Sequence, residues 1–463
     1  MSDNEFKVIV VGGGPVGLIA AHALSRAGID YVVLENYDSV ATDVGASIAL
    51  WPQALRVMGR LGLLPRLESI GTRMDRGVYM TQPGHIFKES HAMRNDIGRN
   101  HGTSTHAYHR ADLLKALYDS LPEPNPAARI LMNKQVTQIT TTDDRVEAHC
   151  ADGTIYTGSI IIGADGVHSM VRKTMRTLAL QSSPTTNPNK INNEHPFLAE
   201  YRCMWCSFPR QPDDPDMLAG DFIEAHGTDM ALQCLSGDDR SWLFIYERLA
   251  KPTRDRATYS QADVEALAAR AGEHAVSERR KVKDVFPTRH AAGMANLEEG
   301  VLPHWSWKRL VLVGDACHKQ TPNTGLGFNN GMQDVVALVN ELHSAVKEQT
   351  GGGGSSSGGL DLDVLGGVFA RYQDLRRKPL KKDLKFAAKV ARMSTWRTWA
   401  AWLQDRYIFP SIPGWDPFMI DHVLAKAISG SLVFDFVEAE EPFQGRVPWK
   451  HAIPSPGGKK VEV

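Results

Sequence analysis

The sequence predicts an α/β fold, in which a Rossmann-like nucleotide-binding domain carries an inserted mixed β-sheet substrate domain and a helical C-terminal region. Three observations support this. The chain opens with an apolar strand, a glycine-rich turn and a helix, the start of a βαβ unit. Two later apolar strands each run into a glycine–aspartate turn, with strand-like sequence between them. A glycine- and serine-rich stretch then precedes a sequence of helical character.

The opening unit has clear boundaries. Val8–Val11 is a buried strand, Pro15–Ala27 is a helix with Gly28 as its C-terminal cap, and Tyr31–Leu34 is a second strand that ends at Glu35.

Three later segments supply further parts of the nucleotide-binding domain. We expect a helix to start at Arg110. Strand Ile160–Ile162 runs into Gly163–Gly166, and strand Leu310–Val313 runs into a second glycine–aspartate pair before a helix from about Asn330.

The segments between these anchors predict the domain organisation. Strands such as Tyr201–Phe208 and Trp242–Glu247 indicate the inserted sheet, and Pro410 and Pro413 should break the C-terminal helices. The expected parts are nucleotide domain 1–75, 100–185 and 295–345; substrate domain 76–99 and 186–294; flexible Gly/Ser loop 346–360; and helical region 361–463.

Composition excludes several classes of protein. The 463 residues are 42% hydrophobic and 23% charged with a net charge of −1, so nothing favours a nucleic-acid partner. Five cysteines fit a reducing compartment. The N-terminus lacks a signal-peptide pattern, and no run reaches the ~20 apolar residues of a membrane helix. We expect a soluble, cytoplasmic monomer or weak dimer without a bound metal.

The first motif is Gly12-x-Gly14-x-x-Gly17 between strand and helix, with Glu35 ending the next strand. Gly12 permits the tight turn, Gly14 lets a pyrophosphate approach the helix N-terminus, and Gly17 allows close helix packing. Glu35 would accept hydrogen bonds from ribose hydroxyls. The motif fits FAD and NAD equally, and a structural turn with a solvated Glu35 is the alternative.

The second motif separates these two cofactors. Asp315 follows a strand and can bind a ribityl hydroxyl, while the turn Pro322–Asn330 can aim backbone N–H groups at the pyrimidine edge of a flavin. NAD sites do not use such a second half-site. A third turn places Asp165 before a helix, where it either serves the cofactor or only caps the helix.

In this order and spacing, the three motifs resemble the single-component (class A) flavoprotein monooxygenases typified by p-hydroxybenzoate hydroxylase, over about residues 1–345. Asp43–Leu50 and Tyr201–Cys203 look more like a fungal subgroup acting on terpenoid, meroterpenoid and prenylated-indole intermediates. The resemblance implies bound FAD, transient NAD(P)H and a flavin C4a-hydroperoxide as oxidant. No second GxGxxG motif appears, which agrees with a family that lacks a separate NADPH domain.

The resemblance also implies which residues contact FAD. Arg110 would reach the phosphate–ribityl region, unless it is a solvated first-turn arginine, and Val136 would contact adenine. The expected cofactor contacts are Gly12, Gly14, Val16, Gly17, Glu35, Gly45, Ala46, Ala49, Arg110, Val136, Asp165, Asp315, Pro322, Gly325, Gly327 and Phe328.

Arg202 is the candidate catalytic side chain. On a strand it shares a face with Met204 and Cys206, so burial would require a partner: the oxidant, a substrate carbonyl or a neighbouring carboxylate. Related enzymes place a functional arginine on the equivalent strand, and a structural ion pair is the alternative. Asp43 could orient a substrate amine or merely cap its turn. We assign no catalysis to His318.

Two further patterns have plain structural interpretations. Cys203 and Cys206 are three apart on a strand and should face opposite sides, against a redox or zinc site. The aromatic residues Trp396, Trp399, Trp402 and Tyr407 repeat at helical spacing and predict a helix packed on the body. A lid over an apolar substrate, or a surface for a membrane or partner, is the alternative.

The expected function is therefore FAD- and NAD(P)H-dependent monooxygenation of a bulky hydrophobic natural product, with O₂ as co-substrate. Epoxidation of an indole 2,3-bond, leading to a hydroxy- or spiro-oxindole, and epoxidation of a terpenoid alkene both fit. The open alternatives are an FAD-dependent reductase or dehydrogenase, an aromatic-ring hydroxylase, and a dinucleotide-binding protein without chemistry.

Overall fold

A computed structural model describes residues 6–122, 126–182, 191–351 and 359–454. The strands are β1 Lys7–Val11, β2 Asp30–Leu34, β3 Ser47–Leu50, β4 Gly71–Arg73, β5 Arg76–Thr81, β6 Ile86–Ser90, β7 His106–His109, β8 Ile130–Leu131, β9 Val136–Thr141, β10 Val146–Cys150, β11 Ile155–Gly158, β12 Ile160–Gly163, β13 Leu198–Pro209, β14 Asp221–His226, β15 Met230–Ser236, β16 Arg240–Thr253, β17 Ala291–Val301, β18 Ser306–Trp307, β19 Leu310–Leu312 and β20 His318–Lys319. The α-helices are α1 Pro15–Arg26, α2 Pro52–Arg60, α3 Leu64–Glu68, α4 Gly98–His101, α5 Arg110–Asp119, α6 Met170–Ser182, α7 Gln261–Arg270, α8 Val282–Val285, α9 Leu326–Gly351, α10 Leu362–Ser394, α11 Trp399–Leu403, α12 Phe409–Ser411, α13 Trp415–Met419 and α14 Ala425–Ser429.

The nucleotide-binding part is built on a six-stranded sheet of order β18-β19-β12-β1-β2-β8. Strand β1 runs parallel to both β12 and β2, and β12 runs parallel to β19. These strands are almost wholly apolar and buried, as expected for a parallel sheet covered on both faces. Their carboxyl ends therefore meet at one edge, where the three predicted motifs all begin. The predicted α/β class and opening βαβ unit are confirmed.

The second large sheet has eight strands in the order β20-β17-β13-β16-β15-β14-β5-β6. It is mixed, because β14 pairs with β5 in parallel while β13, β15, β16 and β17 pair antiparallel. The expected strands at 76–99 and 186–294 are in this sheet. β17 runs from Ala291 to Val301, so the expected boundary at 295 falls inside a strand.

The two faces of this sheet have different surroundings. The outer face carries Met204, Cys206 and Ile245, which pack in one apolar cluster with Val264 and Leu267 of α7. The inner face carries the alternate residues of the same strands. Trp205 on this face donates a hydrogen bond from Nε1 to the Val44 carbonyl at 2.8 Å, and Trp242 stacks on His109. The inner face is thus turned toward the nucleotide-binding part.

Cys203 and Cys206 lie on these two opposite faces, as predicted. Cys203 belongs to a cluster with Tyr201 and Tyr246, whereas Cys206 lies in the outer-face cluster. Both thiols are buried and free.

Helix α9 begins at Leu326, four residues before the predicted start, because Gly325 takes a left-handed conformation (φ 66°) that ends the preceding turn. It continues to Gly351, so the first part of the predicted loop 346–360 is helical; residues 352–358 lie outside the described part. Helix α10 packs against α9 through a buried ion pair, in which Arg376 Nε lies 2.9 Å from Asp334 Oδ1.

The aromatic segment after α10 differs from its prediction. Helix α10 ends at Ser394, and α11 begins only at Trp399, which is 77% exposed. Tyr407 is also half exposed, so these residues do not form one helix packed on the body. The expected break before Pro413 is present, because Ile412 is extended, as the residue before proline prefers. The expected break at Pro410 is wrong, since Pro410 lies in the first turn of α12 within a continuous helical run. Among the described residues, no helix is long and apolar enough to cross a membrane.

Candidate functional site

The first glycine turn lies at the carboxyl edge of the six-stranded sheet. Gly12 donates from its N–H to the Leu34 carbonyl at 2.9 Å and has a φ of 104°. A Cβ on Gly17 would lie 1.9 Å from the Gly12 oxygen, so α1 reaches the sheet only because this residue is glycine. A Cβ on Gly14 would meet no protein atom within 4 Å. The N-terminus of α1 is therefore open to an anion at Gly14.

Glu35 and Val136 lie beside this turn. The Glu35 carboxylate accepts hydrogen bonds from the backbone N–H groups of Gly13 and of Tyr37, the latter at 2.9 Å. The Glu35 carbonyl accepts from Lys134 N at 2.7 Å, two residues before the buried Val136 at the start of β9. This arrangement suits the ribose and adenine of a dinucleotide.

Arg110 starts α5 and is partly buried near Glu35. Burial lowers the pKa of its guanidinium, while the nearby Glu35 and Tyr37 act to raise it. Within the described residues, its side chain has no hydrogen bond or ion pair, and its backbone N–H donates to the Ala46 carbonyl at 3.0 Å. A partly desolvated arginine of this kind suits a phosphate.

The second half-site forms where β19 ends. Asp315 contacts Lys319, a neighbour that the sequence interpretation missed. The turn Pro322–Thr324 then leads through Gly325 into the N-terminus of α9. A Cβ on Gly327 would meet no protein atom within 4 Å.

Several buried oxygens at this turn have no hydrogen-bond partner among the described residues: Thr321 Oγ1, Asn323 Oδ1 and Thr324 Oγ1. Buried polar atoms of this kind normally have a partner, so they point to a polar group held at the turn. We call residues Thr321–Gly327 the ring-side loop.

The predicted flavin-side loop Gly45–Ala49 lies against the ring-side loop. Asn329 Nδ2 donates to the Ala49 carbonyl at 2.8 Å, and Trp51 Nε1 donates to the Thr324 carbonyl at 3.0 Å. Val16 of α1 packs against Gly314 and Gly331, which joins the two half-sites. Ala46 and Ala49 lie within the flavin-side loop, and Phe328 lies in the first turn of α9.

The residues fit FAD. Two open helix N-termini, at Gly14 and Gly327, lie in segments that start from one sheet edge. Arg110, which has no ion pair within the described part of the chain, lies near the first. Together they match a dinucleotide pyrophosphate and a flavin ring whose pyrimidine edge gains negative charge on reduction.

Asp165 is a helix cap. Its carboxylate accepts from Ser169 Oγ at 2.5 Å and from the N–H groups of Met170 and Val171 at 2.7 and 3.0 Å. Burial raises its pKa against the opposing effect of these bonds. The capping alternative for Asp165 is therefore present, in a turn packed against Gly12, and its contact with FAD stays a prediction.

For Arg202 the structure shows the ion pair that was the alternative to a catalytic role. Its side chain lies on the outer face, as its alternation with Met204 predicts, and Nε donates to Glu247 Oε2 at 2.6 Å. The same carboxylate pairs with Arg270 of α7. Of the partners expected for Arg202, the structure supplies the neighbouring carboxylate. Trp205, on the other face, is bonded to Val44 beside the flavin-side loop, and we therefore assign Arg202 to a structural ion pair.

Asp43 caps its own turn, accepting from the Gly45 N–H at 2.8 Å. Its other contact is His109 Nε2 at 3.1 Å, and the Trp242 indole donates to His109 Nδ1 at 3.2 Å. Burial acts to raise the pKa of Asp43, but the bond from Gly45 and the nearby His109 outweigh it, and the pKa is lowered.

His318 is buried at the end of the second half-site. It contacts Asp334, which also pairs with Arg376. Cys317, His318 and Asp334 lie close enough to hold a metal ion. The arginine bound to Asp334, however, makes this cluster an ion-pair network that joins α9 and α10.

The sequence interpretation missed a line of buried polar side chains on the inner face. Gln233 Nε2 donates both to the Asn323 carbonyl of the ring-side loop at 2.9 Å and to Glu224 Oε1 at 2.8 Å. Glu224 is also hydrogen-bonded to His226, and His226 is hydrogen-bonded to Asp405. The signal in the sequence was Glu224 and His226 two apart on a strand, hence on one face. We call this set the inner-face chain: Tyr246, Gln233, Glu224, His226 and Asp405.

The chain matches known flavoproteins over most of its length. A family profile described as FAD binding domain matches residues 5–355. The FAD-dependent monooxygenase srdH of Neurospora crassa is 33% identical, covering 97% of this chain and 99% of that protein. The FAD-dependent monooxygenase spyC of Aspergillus fumigatus is 32% identical, covering 88% and 83%.

Solved structures agree in fold. Klebsiella pneumoniae HpxO complexed with FAD and uric acid has a TM-score of 0.69 at 19% identity, covering 92% of this chain and 98% of its own. The 2,6-dihydroxypyridine-3-hydroxylase from Arthrobacter nicotinovorans has a TM-score of 0.62 at 17% identity, covering 84% and 93%. The chain therefore belongs to the FAD-binding-domain family and is an FAD-dependent monooxygenase that resembles the fungal members.

Proposed function

We propose that this enzyme uses NAD(P)H and O₂ to epoxidise or hydroxylate an electron-rich C=C bond of a bulky hydrophobic natural product. Bound FAD supplies the redox chemistry, taking electrons from the nicotinamide and delivering one oxygen atom of O₂ to the substrate. The observation that carries the proposal is the position of the ring-side loop, whose Asn323 carbonyl is bonded to the inner face of the eight-stranded sheet.

The residues of the two half-sites would hold and tune the cofactor. Arg110 and the N-terminus of α1 would bind the pyrophosphate, and Asp315, held by Lys319, would bind the ribityl chain. The N–H groups at Gly327, at the start of α9, would face the pyrimidine edge of the ring. Their partial positive charge would stabilise the negative charge of the reduced ring.

The surroundings of the inner face favour an apolar substrate. Phe222 and Phe244 are partly buried and pack against a cluster formed by Trp242 and Leu235. Met93 packs both there and against a second cluster that contains Leu326 of the ring-side loop. Aromatic and thioether side chains exclude water and adapt to a rigid polycyclic molecule. An indole 2,3-bond and a terpenoid alkene are the two substrate classes that we propose.

The test uses purified enzyme with flavin absorbance, NADPH and two probes, a prenylated indole and a terpenoid alkene. We expect NADPH oxidation that requires O₂ and a product that gains one oxygen atom, labelled when ¹⁸O₂ is supplied. NADPH consumption without O₂, with hydrogen added to the probe, would instead identify a reductase. Oxygen insertion only into a phenolic probe would identify an aromatic-ring hydroxylase.

A further inference from the structure

His226, in the middle of the inner-face chain, is a buried cation between two carboxylates. Its Nε2 lies 3.0 Å from Glu224 Oε2, and its Nδ1 lies 2.7 Å from Asp405 Oδ2. Ionised carboxylates only accept hydrogen bonds, so both ring nitrogens must donate and the ring carries a proton on each. Burial acts to lower the pKa of His226, but Asp405 and Glu224 outweigh it and raise the pKa to about 9.

Other groups face this imidazolium less closely. The rings of Tyr79 and Phe87 lie edge-on to it, with centroids 6.0 and 5.7 Å away. Lys88 Nζ lies 4.7 Å from the Tyr79 ring centroid and pairs with Asp416, and the Arg406 guanidinium lies 4.8 Å from the Phe87 ring centroid. In the described part of the chain, the two carboxylates are thus the charges in direct contact with the histidine.

The carboxylate of Asp405 belongs to a largely exposed segment, which is also paired to the sheet through Arg397 and Glu200. We call Trp396–Ile412 the cap segment. Trp399 and Tyr407 in it are 77% and 50% exposed, and Ile408 is 42% exposed. Asp405 is the exception: its carboxylate is 12% exposed and also accepts from Trp396 Nε1 at 2.8 Å.

At its other end the inner-face chain reaches the ring-side loop. Gln233 binds the Asn323 carbonyl and the Glu224 carboxylate with the same amide nitrogen, and Tyr246 OH donates to Gln233 Oε1 at 3.1 Å. All of these sheet residues are less than a tenth exposed. Three separate parts of the molecule, namely the cap segment, the inner face and the ring-side loop, are therefore joined through one protonated histidine.

We propose that His226 is a positioning residue that fastens the cap segment over the inner face and keeps water away from the ring-side loop. The inference rests on the proposed function, because it assigns the inner face to the substrate side. Its consequence for the reaction follows from stoichiometry. With water excluded, NAD(P)H, H⁺, O₂ and substrate give NAD(P)⁺, H₂O and oxygenated substrate. When water has access, NAD(P)H, H⁺ and O₂ give NAD(P)⁺ and H₂O₂ instead.

The test does not require turnover. Holoenzyme with bound FAD is compared with His226→Gln and Asp405→Asn by hydrogen exchange of the cap segment and by iodide quenching of flavin fluorescence. Both variants should exchange about tenfold faster in this segment, as expected for local opening made easier by one broken charged contact, and should be quenched more strongly. Asp405→Glu, which keeps the carboxylate, should lie closer to wild type. His149→Gln, which removes a partly exposed histidine beside Glu147, should match wild type.

The outcomes distinguish the positioning role of His226 from the proposed function. Unchanged exchange and quenching in Asp405→Asn would overturn the positioning role even if His226→Gln failed to fold. Faster exchange in an enzyme that never oxygenates either probe would support the positioning role of His226 and contradict the proposed function. With an accepted probe, the variants should release more H₂O₂ per NADPH than wild type.

Discussion

Among single residues, Arg110 offers the most direct test of the cofactor site. It is partly buried, near Glu35, and without a hydrogen-bonded counterion in the described residues. A charged hydrogen bond is worth about 1.5–3 kcal/mol, so Arg110→Met should raise the Kd for FAD roughly 10- to 100-fold. Titration of apoenzyme with FAD measures this. The control Arg145→Met removes an arginine that is 63% exposed and should leave the Kd unchanged; equal effects in both variants would remove Arg110 from the site.

Arg202 leads to the opposite expectation. Its ion pair with Glu247 is partly exposed, and Glu247 keeps Arg270 when Arg202 is replaced. Such pairs contribute about 1 kcal/mol or less. Arg202→Met should therefore lower the melting temperature slightly and leave NADPH oxidation and product formation within about twofold of wild type. Loss of product at unchanged stability would restore the catalytic prediction.

The residues that sequence could predict are those whose neighbours are close in the chain. Gly12, Gly14 and Gly17 form one turn, and their spacing alone implies their geometry. The contact between Asp315 and Lys319, four residues later, could have been predicted by the same reasoning. The pairing of His226 with Asp405 joins positions 179 residues apart, and no local pattern indicates it.

At the scale of elements, the β1–α1 unit separates folding from cofactor binding. A Cβ at Gly17 collides with the Gly12 carbonyl at 1.9 Å, whereas a Cβ at Gly14 meets no protein atom. Gly17→Ala should force α1 away from the sheet, at a cost of about 1–3 kcal/mol or more, and lose FAD. Gly14→Ala should keep the melting temperature of the apoenzyme within about 2 °C, since its φ of −66° suits alanine, yet weaken FAD binding at least about tenfold.

Two measurements, thermal unfolding of apoenzyme and FAD titration, check this pair of variants. Equal destabilisation by Gly14→Ala and Gly17→Ala would show that the turn is structural and that Gly14 does not face the cofactor.

Elements with one regular period were predictable, and those set by distant contacts were not. The buried strands Val8–Val11 and Ile160–Ile162 were found because parallel strands covered on both faces form continuous apolar runs. The aromatic spacing after residue 395 suggested a packed helix, but the cap segment is held by Asp405 and leaves Trp399 exposed. The parallel pairing of β5 with β14 joins segments far apart in the chain, so only the fold reveals it.

At the scale of the whole molecule, buried ion pairs lie where separate elements meet. Asp334 joins α9 to α10 through Arg376, and His226 joins the eight-stranded sheet to the cap segment. Such pairs contribute little net stability compared with apolar contacts, but breaking one partner leaves a buried charge and is strongly destabilising. The junction between the sheet and the cap segment therefore depends on the protonation of His226.

The pH dependence of stability follows from His226. Its pKa is about 9 in the folded enzyme and near 6.5 when unfolded, so its contribution is complete below pH 6.5 and disappears as pH rises through about 9. The shift corresponds to roughly 3 kcal/mol. Urea unfolding of holoenzyme from about pH 6 to about pH 9.5 should show wild type losing stability while His226→Gln changes less, so that the two curves converge. His149→Gln should follow wild type throughout. Parallel curves for wild type and His226→Gln would mean that the histidine is not charged in the folded enzyme. A charged contact between His226 and Asp405 would then not be what holds the cap segment to the sheet.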